Sequence, residues 1–447
     1  MRKGTLMKAY QFPGGAHPPS LKASGDNPIQ IMPAPDRVVI SMLRVSGAQL
    51  TPLVKRGDFV YLGQKIGDSD AFISAPVHAS VSGRVLQVEP RPQPTGRRLV
   101  LSVVLENDHR DAWDESCAPQ ADPGALSGAE ITRIAREKGV VGMGGATFPA
   151  HVKLSPPAGK AIDTLIANGA ECEPVLTADD RLMRERADEV IGGIDFAMRA
   201  LGAKRALVGI EENKPEAIQA MVQAAKGTKA DIVPLPVRYP QGGEKQLIYA
   251  LTGRKVAPGA LPSDAGCAVF NVGTLAALYQ AVVLGRPLID RVVTVAGGAV
   301  MKPGNLLVRI GTSFKACVDF CGGYASGGPE KIVSGGPMMG VALYTDEVPV
   351  IAGTSGILAL SGDEARLPEP GACMRCGRCH RVCPMNLQPY AIEDAILSRD
   401  AGRAARFYAQ QCIECGACGY ICPARRHLVQ NMRLAKALVR GSAAGKV

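Results

Sequence analysis

Cys373-Met374-Arg375-Cys376-Gly377-Arg378-Cys379-His380-Arg381-Val382-Cys383-Pro384 returns 39 residues later as Cys412-Ile413-Glu414-Cys415-Gly416-Ala417-Cys418-Gly419-Tyr420-Ile421-Cys422-Pro423. The two runs take eight of the thirteen cysteines and form the clear internal repeat of the chain. Cysteines at i, i+3 and i+6 let a tight loop wrap one corner of a cubane cluster. Gly377 and Gly416 let the backbone come close to it. Backbone N–H groups in such a loop can point at the cluster sulfides and help set its potential. The fourth cysteine, followed by proline, lies beyond the loop and reaches the other cluster. The reading is two [4Fe–4S] clusters, one on Cys373, Cys376, Cys379 and Cys422, the other on Cys412, Cys415, Cys418 and Cys383. Paired structural zinc sites are the rival, but those favour separated cysteine pairs, often with histidine. His380 stands outside the ligand spacing and reads as a neighbour.

Between the runs, residues 387–410 read as helix, with Ile392 and Ile396 four apart and Phe407 extending the apolar face. The end of the chain is therefore expected to be a helix-rich two-cluster domain. Cys117, Cys172, Cys267, Cys317 and Cys321 have no ligand pattern and read as buried thiols. The net charge of +10 fits nucleic acid, an anionic membrane surface or acidic proteins. No Lys/Arg run like a nucleic-acid arm is present, so no nucleic-acid partner is expected. Arg425, Arg426, Arg433, Lys436 and Arg440 read as a solvated helix face, with docking to an acidic partner or to lipid headgroups left open. No stretch of 18 apolar residues exists, so nothing here spans a membrane alone. Met1-Arg2-Lys3-Gly4-Thr5-Leu6-Met7-Lys8 is charged without a signal-peptide core, which implies a cytoplasmic protein. Thirteen cysteines in that setting argue for metal or redox use over disulfides.

Upstream, strand-like and helix-like runs alternate. Residues 128–138 read as helix, 163–167 as a buried strand, 181–201 as a long helix, 205–210 as strand, 214–225 as helix and 231–236 as strand. Alternation of this kind predicts a parallel sheet covered by helices, with ligands at the C-terminal strand ends. Two segments belong there. One is the loop Val141-Gly142-Met143-Gly144-Gly145-Ala146-Thr147-Phe148-Pro149; the other is the turn Asn168-Gly169-Ala170-Glu171-Cys172-Glu173-Pro174. Alone, the loop reads equally well as an ordinary tight turn, and the glutamates as solvated loop residues.

Together with later segments they carry a resemblance. Residues 142–153 resemble the flavin loop of the FMN- and NADH-binding subunit of respiratory complex I (the 51 kDa subunit), and Asn168-x-x-Glu171-x-Glu173-Pro174 resembles that family's second segment. Tyr239-Pro240-Gln241-Gly242-Gly243-Glu244 and Asn271-Val272-Gly273-Thr274-Leu275 resemble its third and fourth. Phe12-Pro13-Gly14-Gly15-Ala16-His17-Pro18 and Ser74-Ala75-Pro76-Val77-His78-Ala79-Ser80-Val81-Ser82-Gly83 extend the match over nearly the whole chain. They look like RnfC, the flavin- and NADH-handling subunit of the Rnf ion-pumping complexes. The resemblance implies that Gly142, Gly144, Gly145 and Lys153 hold the FMN phosphate and ring surroundings. It implies that Asn168, Glu171 and Asn271 line the flavin, and that Phe148, Glu173 and Glu244 contact NAD(H), with Glu173 and Glu244 nearest the hydride exchange. Met143 and Ala170 stand where complex I has arginine and aspartate, and Gly243 replaces the first of two glutamates.

The implied architecture is a multidomain α/β and α+β chain. Residues 1–125 form a barrel-sandwich hybrid, 126–285 a Rossmann-like flavin domain, 286–350 a β-grasp (SLBB-like) module and 351–447 the twin-cluster ferredoxin-like domain. Lys55-Arg56-Gly57-Asp58-Phe59-Val60 and Ser82-Gly83-Arg84-Val85 suit short strands of a lipoyl-like sandwich. His78-Ala79-Ser80 stands where a carrier lysine would, so no covalent cofactor is expected and His78 reads as structural. Residues 288–322 read as strands, a Pro303-Gly304 turn and a short helix. The implied activity is electron exchange between NAD(H), FMN and two clusters, coupled through membrane and ferredoxin-like Rnf subunits to ferredoxin and ion translocation. The place implied is peripheral, on the cytoplasmic side of the cell membrane. Two rivals stand: a cobalamin reductase resembling the PduS type, whose flavin segment lies near the N-terminus, and a flavin-free iron–sulfur wiring protein.

Overall fold

Three strands carry runs of small and β-branched residues buried on both faces, Thr164–Gly169, Arg205–Glu211 and Cys267–Asn271, and a fourth, Ala230–Leu235, is buried only at Val233 and Leu235. Such strands suit a parallel sheet covered on both sides. In the computed structural model, which describes residues 9–443, they pair in parallel in the spatial order 230–235, 205–211, 164–169, 267–271. Residues 1–8, expected to carry no signal peptide, lie outside the described residues. Helices Gly128–Glu137, Ala187–Leu201, Pro215–Ala224, Glu244–Thr252 and Val272–Val283 complete the layers. Gly193 shows how tightly they pack: a Cβ there would stand 1.9 Å from the Leu275 carbonyl oxygen. The long helix predicted over 181–201 is two, Ala178–Glu185 and Ala187–Leu201, broken at Arg186 with φ −134°. The first of them starts directly after the acidic turn, at Ala178.

Two small sheets make the N-terminal sandwich. One orders Arg37–Ser41, Gly96–Asn107, Gly83–Gln93 and Phe59–Val60; the other orders Thr51–Pro52, Lys65–Asp68 and Val77–His78. His78 is buried, and burial pushes its imidazole down to about 3, so it is neutral. Its Nδ1 has no partner among the described residues, so this histidine is structural without being fully hydrogen-bonded.

The third sheet has six strands in the order Ile29–Ile31, Gly304–Arg309, Asp290–Ala296, Gly356–Leu360, Lys331–Ser334, Val341–Leu343. The boundary expected after residue 350 therefore cuts through it, because Gly356–Leu360 pairs on both sides. Ile29–Ile31, assigned to the first domain, instead forms its edge. Near the C-terminus, the helix expected over 387–410 is Pro389–Leu397 and Ala401–Arg406, separated by Arg399 at φ 56° and capped by Asp400. Ile392, Ile396, Ala404 and Met432 form their core with helix Leu428–Ala443.

Candidate flavin and cluster sites

Each cysteine loop closes on a glycine in the left-handed region, Gly377 at φ 71° and Gly416 at φ 85°, which then starts a short helical turn. One cavity is walled by Cys373, Cys376, Cys379 and Cys422, the other by Cys383, Cys412, Cys415 and Cys418. These are the two crossed sets expected from the spacing. Among the described residues, no three His, Cys, Asp or Glu converge closely enough to hold a single metal ion. A cubane spreads its ligand sulfurs around a larger body, so the donor set fits a cluster better than zinc. The basic residues after the last cysteine are not all free in solvent. Arg426 Nε lies 2.6 Å from buried Glu393, while Arg433 Nε and Lys436 Nζ lie 3.0 and 2.5 Å from Glu414. Arg433 and Lys436 fasten Leu428–Ala443 to the second cluster loop, and Arg426 ties the residues before that helix to Pro389–Leu397.

At the C-terminal ends of the parallel strands lies a cavity of about 450 Å³, within the usual range for a small-molecule site. Its wall includes Gly144 of the glycine loop, Asn168, Glu171 and Glu173 of the acidic turn, Glu244, and Asn271. Gly142 N donates to the Phe148 carbonyl at 2.8 Å and Met143 N to Thr274 Oγ1 at 2.9 Å, which fixes the loop. The N–H groups of residues 144–146 have no protein acceptor among the described residues, and these residues are exposed. A row of free N–H donors suits a phosphate. Nothing stands within 4 Å of a Cβ built on Gly145, so a ligand has room to approach. The cavity and these donors fit FMN.

The acidic side chains are held firmly. Glu171 accepts from Asp179 N at 2.7 Å and Asp180 N at 3.2 Å, in the first turn of helix Ala178–Glu185. Glu173 accepts from Met338 N at 3.0 Å and Met339 N at 2.9 Å, on a loop of the third sheet's domain. Burial pushes both carboxyls up to about 7. Asn168 Nδ2 donates to the Gly242 carbonyl at 3.0 Å, and Asn271 Nδ2 to Asp179 Oδ2 at 2.7 Å. Lys153 Nζ donates to the Val269 carbonyl at 3.0 Å and lies 3.3 Å from Glu244. Phe148, Gly142, Gly145 and Lys153 are not among the residues that wall the cavity; Phe148 is half-buried.

Lys22 and Arg291, which no motif marked, complete the site together with residues of the quoted motifs. Lys22 Nζ donates to the carbonyls of Glu171 (2.9 Å), Glu173 (2.8 Å) and Leu176, tying down the acidic turn. Buried Arg291 joins the Met143 carbonyl at 3.3 Å to that of Ala352 at 2.5 Å. Tyr239 Oη donates to the Cys415 carbonyl at 2.5 Å. Ile413 and Cys415 themselves wall the cavity, so the second cysteine loop borders the flavin site directly. The opening motif seals this junction. Arg238 lies over the Phe12 ring at 4.9 Å, Gly15 N donates to the Val382 carbonyl at 2.8 Å, and a Cβ on Gly14 would stand 2.6 Å from the Cys383 carbonyl. The motif's glycines were a visible signal; lone Lys22 and Arg291 offered none.

Four family models match in sequence order. They are an RnfC barrel sandwich hybrid domain (residues 10–110), a Nuo51 FMN-binding domain (135–280), an SLBB domain (292–342) and a 4Fe-4S dicluster domain (367–423). The chain is 45% identical over 432 residues to the C component of the Na(+)-translocating ferredoxin:NAD(+) oxidoreductase complex of Acetobacterium woodii, covering 96% of this chain and 97% of that one. It is 50% identical over 379 residues to the C component of the proton-translocating complex of Clostridium ljungdahlii, covering 85% and 82%. It is 42% identical over 434 residues to the C component of the ion-translocating oxidoreductase complex of Rhodobacter capsulatus, covering 96% and 83%. With a barrel sandwich, a flavin domain, an SLBB domain and a dicluster domain in this order, the chain belongs to the RnfC family, the C components of the Rnf ferredoxin:NAD(+) oxidoreductase complexes.

Proposed function

We propose that this chain is the point where NAD(H) meets the complex, with the residues above in specific roles. One observation carries the reading: the wall of the flavin cavity is shared with Ile413 and Cys415 of a cluster loop. A flavin bound there would exchange one hydride, two electrons, with NAD(H) and single electrons with clusters, which is the chemistry this junction needs. The N–H groups of residues 144–146 receive the phosphate. Lys153 and Glu244 hold each other at the mouth, and Glu244 offers a carboxylate to ribose hydroxyls. Glu171 stays inside the cavity beside the isoalloxazine position. Glu173 locks the β-grasp loop over the site, so it acts on the nucleotide through Met339. Tyr239 and Ile413 exclude water between cavity and cluster loop.

The crossed cysteine sets are the cluster ligands. The set containing Cys415 is the inner one, and the set containing Cys373 and Cys376 is the outer one. No helix among the described residues is long and apolar enough to cross a membrane, so ion movement belongs to partner subunits. The chain sits peripherally on the cytoplasmic side, where NADH is available. The cobalamin reductase rival is disfavoured by the matched barrel-sandwich domain ahead of the flavin domain.

The test is flavin and iron content of protein purified without oxygen, followed by NADH addition. About one FMN and eight irons per chain, with bleaching by NADH, is the expected result. Eight irons with no flavin, even after FMN is supplied, would leave a flavin-free relay and overturn the reading.

A further inference from the structure

The two cysteine loops are copies of one another, yet they face different surroundings. At equivalent positions, Cys376 is exposed where Cys415 is buried and Cys373 is exposed where Cys412 is half-buried, while Cys379 and Cys418 are both buried. The inner loop carries Ile413, Glu414 and Ala417, and Glu414 is neutralised by Arg433 and Lys436. At the same three positions the outer loop carries Met374, Arg375 and Arg378. Both arginines are exposed and wall the outer cluster cavity, and neither forms an ion pair among the described residues. Met374 is 65% exposed beside them. Residues 373–381 contain no acidic side chain, and exposed Arg381 and Arg425 flank them.

The repeat serves as an internal control. If arginines were needed to balance the charge of a bound cluster, the inner loop would carry them at the equivalent positions. It carries Glu414 and Ala417 there. The positive charge of the outer loop therefore answers to something outside the chain. Exposed arginines with an exposed methionine are a composition enriched at protein interfaces. The exposed sulfur positions put the outer cluster against whatever covers this face.

We propose that the outer face of the first cysteine loop, with Arg375 and Arg378 as its charged contacts, docks an acidic face of a redox-active partner subunit and is where electrons cross between the two proteins. The inference rests on the electron-entry reading, with the inner loop next to the flavin cavity and the outer loop next to the partner. Charge on such a rim governs encounter and salt dependence.

The experiment uses the full chain carrying flavin and both clusters. It is added to membranes that hold the remaining subunits of the complex but lack this one, and the bound fraction is measured by sedimentation at low and high salt. The wild type should bind in a salt-sensitive way. The Arg375→Glu/Arg378→Glu variant should bind about tenfold or more weakly at low salt. The Lys226→Glu/Lys229→Glu variant, with the same charge change on an exposed loop of the flavin domain, should bind like the wild type. EPR of both reduced clusters should be the same in all three proteins. Unaltered binding of the arginine variant, or an equal loss in the lysine variant, would overturn the proposal. So would equal binding of the wild type to membranes containing none of the subunits, which would mark a lipid surface. A changed outer-cluster signal with binding retained would assign the arginines to the cluster. Failure of NADH to reduce either cluster would instead overturn the electron-entry reading, a separate observation from binding.

Discussion

Gly336→Ala probes the junction between the acidic turn and the β-grasp loop. The φ of Gly336 is not in the left-handed region, so the backbone itself accepts alanine. The added Cβ, however, would stand 2.3 Å from Glu173 Oε2 and 2.6 Å from its Cδ. The carboxyl group must swing away and give up the amides of Met338 and Met339, now 3.0 and 2.9 Å from it. Above pH 7, where Glu173 is ionised, hydrogen bonds to its carboxylate contribute about 1.5–3 kcal/mol each, and local relaxation recovers part of that. Opening of the loop should then become easier by about 2–4 kcal/mol, which is roughly thirty- to several-hundredfold faster amide exchange. Hydrogen exchange read by mass spectrometry on a peptide spanning residues 334–341 measures this locally, without requiring two-state unfolding of a multidomain chain. Gly304→Ala is the control, since nothing lies within 4 Å of a Cβ there. Because Met339 lines the cavity and the Met338 carbonyl abuts Gly416, reduction of the inner cluster by NADH should also slow, with flavin retained. Unchanged protection at Met338 and Met339 in Gly336→Ala would refute the reasoning.

Glu173 also gives a pH signature. Its carboxyl, raised by burial to about 7 from an ordinary 4.5, holds a proton in the folded chain where the unfolded chain has lost it, so stability falls as pH rises through that window. The effect is on the order of 3 kcal/mol, and Glu173→Gln should flatten the fall in thermal midpoint between pH 5 and pH 8. Tyr239→Phe removes the bond to the Cys415 carbonyl and leaves that oxygen short of a donor, a loss of about 1–3 kcal/mol. The EPR signal of the inner cluster should change while that of the outer one stays the same. Cys383→Ala should lower iron to about four per chain and abolish the inner cluster's signal, although Cys383 belongs to the first run. Loss of the outer signal instead would show the ligands to be uncrossed.

What could be read early was what repeats locally. The two cysteine runs and the strand–helix alternation of the flavin domain are encoded by spacing along the chain. The contributions read late come from far away in sequence. Ile29–Ile31 and Gly356–Leu360 join the third sheet from opposite ends of the chain, and neither short run shows what it pairs with. The helix break at Arg186 carries no proline or glycine to mark it, and the helix that holds Glu171 by its first amides starts at Ala178, three residues before the expected start. Lys22 and Arg291 are single charges whose partners are backbone carbonyls, which have no residue type to search for. Phe148 closes the glycine loop through its carbonyl, a backbone role that its residue type does not announce. The arginines and lysine after the last cysteine looked solvated because their acidic partners lie 19 to 33 residues upstream.

The opening motif also bears on how the chain is made. Residues 12–16 are held by Arg238 and Tyr239 and by Val382, so their seat is built largely from the second half of the chain. Synthesis runs from the N-terminus, and domains close as they emerge. Residues 12–16 therefore leave the ribosome long before the residues that seat them, and they dock only once most of the chain between has been made. Until that docking the backbone at Val382 and Cys383 is open on the side this segment later covers. A segment made early is thus among the last pieces of the junction to settle.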